Sequence, residues 1–240
     1  MTITSPHNER LKDLRKLQRA RGRALTGRFV AEGEDLLAAA EEAGWPALER
    51  YCALGSGLDG VEVEPDLLAR ASTLGSGTRA LAVFEQRWAP AASGPLCVCL
   101  VGLSDPGNLG AVLRSALAFG AACVALGPGC ADPFGPKAVR ASMGAIFAMP
   151  LARAGSVLDL PGERVALAAR SGEPLRGPLA GEVSLVVGAE RTGLSKEVLA
   201  GCDRVAHIPI ASESLNAAMA ATVALYELTR ESPGAPAGSS

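Results

Sequence analysis

The chain has 240 residues, 48% apolar and 20% charged, with aromatics at only 4%. These values exclude a disordered, collagen-like or coiled-coil chain and imply a core of small aliphatic side chains. The formal net charge of -2 conceals a basic arm, because residues 1–30 hold eight Lys/Arg against Glu9 and Asp13, while residues 31–66 hold ten acids against Arg50 alone.

In chain order, Leu11, Leu14 and Leu17 lie on one helical face and predict a helix over 5–22, with Ser5-Pro6 at its start. Short strands are expected at 29–30, 50–54, 61–63 and 80–84, with helices at 33–43 and 66–71. This first part reads as a small α/β domain over 1–87. The Pro/Gly/Ser-rich stretch 88–95 reads as a linker.

The pattern then changes. Residues 96–101 and 183–187 are continuous apolar runs, as expected of strands covered on both faces in a parallel sheet. Further strands are predicted at 121–126, 147–151, 165–169 and 205–208. Helices are predicted at 109–119, 136–146, 156–160, 196–200 and 214–230. Strand and helix alternate, so 96–230 reads as one α/β parallel-sheet domain. Residues 231–240, rich in Pro, Gly and Ser, are expected to be a disordered tail.

No stretch has the length and apolarity of a membrane span, and the basic N-terminus lacks the apolar core of a secretory signal. The six cysteines form no CxxC pair and the two histidines lie far apart, so no metal site is expected. Cys97, Cys99 and Cys123 sit inside apolar runs, consistent with reduced, buried thiols in a cytoplasmic protein. The basic arm carries no interleaved aromatics. It reads either as a solvated helix face or as a grip on a polyanion, in which case it would hold phosphates, through Arg10, Lys12, Arg15, Lys16, Arg19, Arg23 and Arg28, and would not read bases.

In a parallel sheet, ligands bind beyond the carboxyl ends of the strands. Three polar or Gly-rich loops stand there, at 102–110, 188–195 and 209–216. None carries a GxGxxG fingerprint, and the first has Asn108 where a GxxxxGK[ST] phosphate loop would have lysine. Each loop alone reads as ordinary turn chemistry; three at strand ends point to a shared site. Arg114 interrupts an apolar helix, so it is expected either to face a cleft or to pair with Asp105 or Glu190. Asn216 is placed to cap the last helix.

These segments, Asp105-Pro-Gly-Asn-Leu-Gly to Gly120, Pro136 to Gly144, Val187-Gly-Ala-Glu-Arg-Thr-Gly-Leu-Ser195 and Ile208-Pro-Ile-Ala-Ser-Glu-Ser-Leu-Asn216, resemble the motifs of the SpoU/TrmH family of RNA ribose 2'-O-methyltransferases. Residues 1–87 resemble that family's small domain, which is similar to an L30-type RNA binder. The resemblance implies a SPOUT α/β-knot with a deep trefoil, a homodimer, S-adenosylmethionine as methyl donor, and RNA as substrate. Ribosomal RNA is favoured; transfer RNA, or a non-catalytic assembly factor that keeps the fold, is the alternative. By the same resemblance Asn108, Arg114, Glu190, Ser214 and Asn216 serve catalysis or substrate. Val187, Gly188, Ala189, Ile208, Ile210 and Leu215 would line the cofactor. Ala189 and Arg191 depart from the polar residue and glycine common in the family.

Overall fold

The structure is a computed structural model, and it describes residues 2–73, 77–178 and 180–230. The expected tail at 231–240 lies outside the described residues. In chain order the elements are β1 (Thr2–Ile3), α1 (Glu9–Leu17), α2 (Ala20–Thr26), β2 (Arg28–Glu32), α3 (Glu34–Glu42), β3 (Glu49–Ala53), β4 (Val61–Val63), α4 (Pro65–Ala71) and β5 (Ala80–Glu85). They continue with β6 (Leu96–Leu100), α5 (Pro106–Ala118), β7 (Cys123–Leu126), α6 (Pro136–Ala141), α7 (Ala145–Ala148) and β8 (Leu151–Arg153). The last are β9 (Glu163–Ala168), β10 (Glu173–Pro174), β11 (Val183–Val187), α8 (Lys196–Ala200), β12 (Arg204–His207) and α9 (Ala217–Thr229).

The chain divides into two compact units. The first comprises Met1–Arg87 together with Asp132–Ala148. Its sheet runs β1-β4-β3-β5-β2, parallel across β1, β4 and β3 and antiparallel across β3, β5 and β2. The leucines of α1 are buried as their spacing predicts. The single helix expected over 5–22 is, however, two helices. Arg19 is extended between them. A Cβ on Gly22 would lie 2.1 Å from the carbonyl oxygen of Lys16, so only glycine lets α2 fold back so closely on the end of α1.

The expectation that 96–230 forms one domain is corrected at Asp132–Ala148. Phe134 and Phe147 stack into a cluster with Phe29, Phe84 and Trp45, with Phe134 only 4.9 Å from Phe29 between ring centroids. The Trp45 indole N–H donates to the Phe147 carbonyl at 2.8 Å. Four of the five phenylalanines thus gather in one unit, and such rings dominate the burial available to a chain poor in aromatics. Helix α6 packs against β2, the last strand of this sheet. The helix expected over 136–146 breaks at Met143 and Gly144, both at positive φ. Phe147, expected in a strand, is therefore helical, and the strand starts at Leu151.

The second unit comprises Trp88–Ala131 and the chain from Met149 onward. Its seven strands run β10-β12-β9-β11-β6-β7-β8, every pair parallel. All five residues of β6 and all five of β11 are buried, as the two apolar runs predict for central strands. The helix expected at 156–160 is a single 3-10 turn, Val157–Asp159, opened by a Ser156 capping box. Strands β1 and β10 have two residues each, too short for any periodicity to reveal.

Candidate active site

Strand order places β6 beside β11, and β9 between β11 and β12. The three loops that follow β6, β11 and β12 therefore leave the same end of the sheet. The first enters α5 through Asp105, whose side chain accepts from the Asn108 backbone N–H at 2.8 Å, with Pro106 in the first turn. Asp105 is thereby a helix cap. The second loop folds back as a narrow hairpin closed by the Ala189–Gly193 backbone pair. A Cβ on Gly188 would sit 2.5 Å from the Gly193 carbonyl carbon, and Gly193 is left-handed at φ +63°, so this turn requires both glycines. The third loop ends at Asn216, whose Oδ1 accepts from the Ala218 and Met219 N–H groups at the start of α9.

One line of hydrogen bonds joins the three loops. Asn216 Nδ2 donates to Asn108 Oδ1 at 3.0 Å. Asn108 Nδ2 donates to Glu190 Oε1 at 3.0 Å. The Asp105 backbone N–H reaches the same Glu190 oxygen at 3.3 Å. Each asparagine uses its carbonyl and its amide in opposite senses, which fixes the order of the line. Burial pushes the Glu190 carboxyl up. The hydrogen bonds from the Asn108 side chain and from the backbone outweigh it and leave the group below its ordinary range. Glu190 is therefore an anion at neutral pH with little appetite for a proton, suited to hold its donors and unsuited to act as a base.

Beside this line lies a cleft. The six residues expected to line a cofactor, Val187, Gly188, Ala189, Ile208, Ile210 and Leu215, all line it, as do Glu190 and Ser214. The end of β9, from Leu167 to Ala169, also lines it, as does Arg191. Sequence reasoning missed these; the small residues closing β9 were the available signal. The lining is mainly aliphatic, with the Glu190 carboxylate and the Arg191 guanidinium as its charged groups. Such a surface sandwiches a flat heteroaromatic ring and favours a cation near the carboxylate.

Arg114 stands apart from the line. It is exposed, and among the described residues it makes no ion pair or hydrogen bond. The pairing considered for it with Asp105 or Glu190 does not form, because those groups serve the cap and Asn108. Leu117, one turn further along α5, is 42% exposed, and Met219, Val223 and Tyr226 of α9 are 63%, 41% and 57% exposed. Helices α5 and α9 pack together through a Ser115–Thr222 hydroxyl pair at 2.6 Å, so each carries part of an exposed apolar surface.

The basic arm is less free than its charge implies. Lys12 pairs with Glu9 and Lys16 with Asp13, each at 2.7 Å. Arg10 lies 3.9 Å from Glu49, and Arg15 reaches the Pro6 carbonyl. Arg19 and Arg28 are exposed. Arg23 must be removed from the expected RNA-binding set. It is 4% exposed, donates to Asp132 through Nε at 2.8 Å and Nη2 at 2.7 Å, and donates to the Leu17 carbonyl at 2.9 Å. Replacing it removes the guanidinium donors to that carbonyl and to Asp132, which keeps the Phe134 backbone N–H at 2.9 Å. Arg23→Ala is expected to lower stability by about 2–3 kcal/mol in urea denaturation, the partial exposure of Asp132 tempering the loss. The salt dependence of RNA binding should not change.

No helix among the described residues is long and apolar enough to cross a membrane. No group of three or more His, Cys, Asp and Glu side chains placed for a metal ion occurs among them.

The model of the SpoU rRNA Methylase family matches residues 95–226. A 23S rRNA (guanosine(2553)-2'-O)-methyltransferase of Bacillus subtilis is 29% identical over 94% of this chain and 98% of its own length. A tRNA/rRNA methyltransferase of Synechocystis is 31% identical over 96% of this chain and 94% of its own. Among solved structures, an AdoMet-bound rRNA methyltransferase from Sinorhizobium meliloti superposes with a TM-score of 0.82 at 30% identity, covering 95% of this chain and 96% of that one. The SpoU methyltransferase AviRb from Streptomyces viridochromogenes, in complex with AdoMet, gives 0.80 at 27% identity, covering 92% and 97%.

Proposed function

The chain belongs to the SpoU rRNA methylase family, and from that membership we propose that it methylates a ribose 2'-hydroxyl of ribosomal RNA with S-adenosylmethionine as donor. The observation that carries this reading is the hydrogen-bonded line from Asn216 through Asn108 to Glu190 beside an aliphatic cleft.

The cleft fits the donor. Ile208, Ile210, Leu215 and the end of β9 offer aliphatic faces for an adenine ring, and the hairpin residues Gly188, Ala189 and Gly193 line the same cleft. Glu190 supplies negative charge beside a sulfonium. S-adenosylmethionine, when bound, supplies a methyl group already activated as an electrophile. What the chain must add is alignment of the hydroxyl oxygen and stabilisation of the charge that oxygen gains as its proton leaves. Asn108 and Asn216 hold the loops in register for the first task. Ser214, exposed on the rim, is positioned to hydrogen-bond the substrate.

The charge stabiliser is Arg114. A guanidinium lacks a free lone pair and supplies positive charge, so it lowers the energy of a developing alkoxide and is not the base. Its side of α5 also carries Leu117, beside the exposed apolar residues of α9. This surface is where a second copy of the chain packs, and it delivers Arg114 to the partner's cleft. The exposed cations Arg19 and Arg28, together with Arg10, Lys12, Arg15 and Lys16, draw RNA to the first unit.

The test is methyl transfer from isotope-labelled S-adenosylmethionine to purified ribosomal and transfer RNA, followed by digestion to nucleosides. The label is expected in a 2'-O-methylnucleoside of ribosomal RNA. Label in a base, or in transfer RNA alone, would overturn the assignment.

A further inference from the structure

Met143 occupies a position that its side chain should avoid. It follows the last residue of α6 and its cap Ser142, and adopts φ +48°. Among non-glycine described residues no other has positive φ. At the end of a helix this left-handed position is ordinarily taken by glycine or asparagine, because a Cβ there crowds the neighbouring carbonyl. A glycine is available in the next position, yet the chain places methionine here and leaves its side chain 62% exposed.

The turn is braced on every side. Ser142 is fully buried; its hydroxyl donates to the Val139 carbonyl at 2.7 Å and accepts from the Ile146 N–H at 3.4 Å. The Met143 N–H donates to the Arg140 carbonyl, and the Ala145 N–H to the Ser142 carbonyl. Gly144, at φ +92°, lies so close to α3 that a Cβ would fall 2.6 Å from the Ala39 Cβ. The strain is thus imposed by surrounding structure, and its product is an apolar thioether held outward on a rigid mount. Lys137 and Arg140 share one face of α6 by their three-residue spacing. Both are exposed, and neither makes an ion pair or hydrogen bond among the described residues.

An exposed flexible thioether flanked by two uncommitted cations matches unpaired nucleic acid. Unpaired bases are unstacked and present their faces to side chains that can cover them, while lysine and arginine take the phosphates. We propose that the Met143 turn is a contact site for unpaired nucleotides of the substrate RNA, with a base on the Met143 side chain and phosphates on Lys137 and Arg140. This rests on the chain acting on RNA and adds a site within the first unit.

The decisive variant is Met143→Asn, because asparagine accepts the left-handed backbone. A merely structural residue predicts a protein no more stable and RNA binding unchanged. The proposal predicts opposite movements in the full-length protein. The melting temperature should rise by about 1–3 °C as backbone strain is relieved. Affinity for a fluorescein-labelled 20-nucleotide single strand of mixed sequence should fall about five- to tenfold, with a blunt RNA duplex bound as by wild type. In Lys137→Ala/Arg140→Ala the slope of log affinity against log salt for the single strand should become shallower by about 1.4, the loss of two phosphate contacts. A Met143→Asn protein that binds the single strand as wild type does, or that weakens equally on duplex, overturns the proposal. Wild-type methyl transfer to ribosomal RNA, run alongside, separates that failure from a failure of the enzymatic reading, which would abolish transfer in the unmutated chain.

Discussion

Arg114→Ala is expected to lower methyl transfer about 10³-fold while S-adenosylmethionine binds within about twofold of wild type, the size of effect seen when one donor to a developing oxyanion is removed. The separation follows from geometry. Arg114 is not among the residues lining the cleft of its own chain, and in the proposed role it acts on the hydroxyl oxygen of the substrate, so its loss leaves the donor's own contacts in place. It is exposed and unpaired among the described residues, so its loss breaks no ion pair and should cost little stability. Isothermal titration with the donor and single-turnover transfer to ribosomal RNA measure the two quantities separately. A variant that keeps transfer within a few-fold of wild type would remove Arg114 from the chemistry.

The same residue reports which protomer it serves. If α5 delivers Arg114 to a partner's cleft, an inactive Arg114→Ala chain and an inactive chain damaged at Asn108 should rescue one another when mixed. Half of randomly paired dimers are mixed, and each mixed dimer holds one intact composite site, so about a quarter of wild-type activity should return. Service within the same chain predicts no return, because each chain then carries its own defect.

Much of this site was legible in the sequence, and for a physical reason. A strand buried on both faces must be apolar throughout, so Leu96–Leu100 and Val183–Val187 reveal themselves without any partner being known. The Asn216 cap is equally local, since the residues it bonds lie two and three positions away. What depends on distant residues was not legible. Arg23 reads as one more cation of a basic arm until Asp132, 109 residues later, is seen to bury it. The membership of Asp132–Ala148 in the first unit rests on Phe134 and Phe147 meeting Phe29, which no spacing encodes. The apolar neighbours of Arg114 imply a guanidinium that either faces a cleft or is paired. In the structure some of those neighbours, Leu117 above all, are themselves exposed, and an apolar helix stripe marks burial only where another surface covers it.

Asn108→Asp should be almost isosteric and nearly inactive, with a loss of about 10²-fold at pH 8 set by the reversal of one hydrogen bond. An aspartate still accepts from Asn216, as the asparagine carbonyl does at 3.0 Å. On its other side it has no N–H to give, and it meets the Glu190 oxygen now held at 3.0 Å with an oxygen of its own. In the wild-type protein Glu190 lies below its ordinary range. Its contribution to stability is therefore complete above the unfolded carboxyl's pKa and is lost only as acid carries the pH down through the folded value. The variant reverses this sign. Two carboxylates in contact cannot both stay ionised cheaply, so the pair holds one proton to higher pH. Above that raised pKa the two repel and the line between the three loops opens; below it, the shared proton restores a donor between positions 108 and 190. The activity of the variant relative to wild type should thus climb as pH falls, coming within about tenfold near pH 5.5. A ratio that stays flat from pH 8 to pH 5.5 would mean that Asn108 acts by shape alone, and that the Asn216–Asn108–Glu190 line is not what holds the loops in their working arrangement.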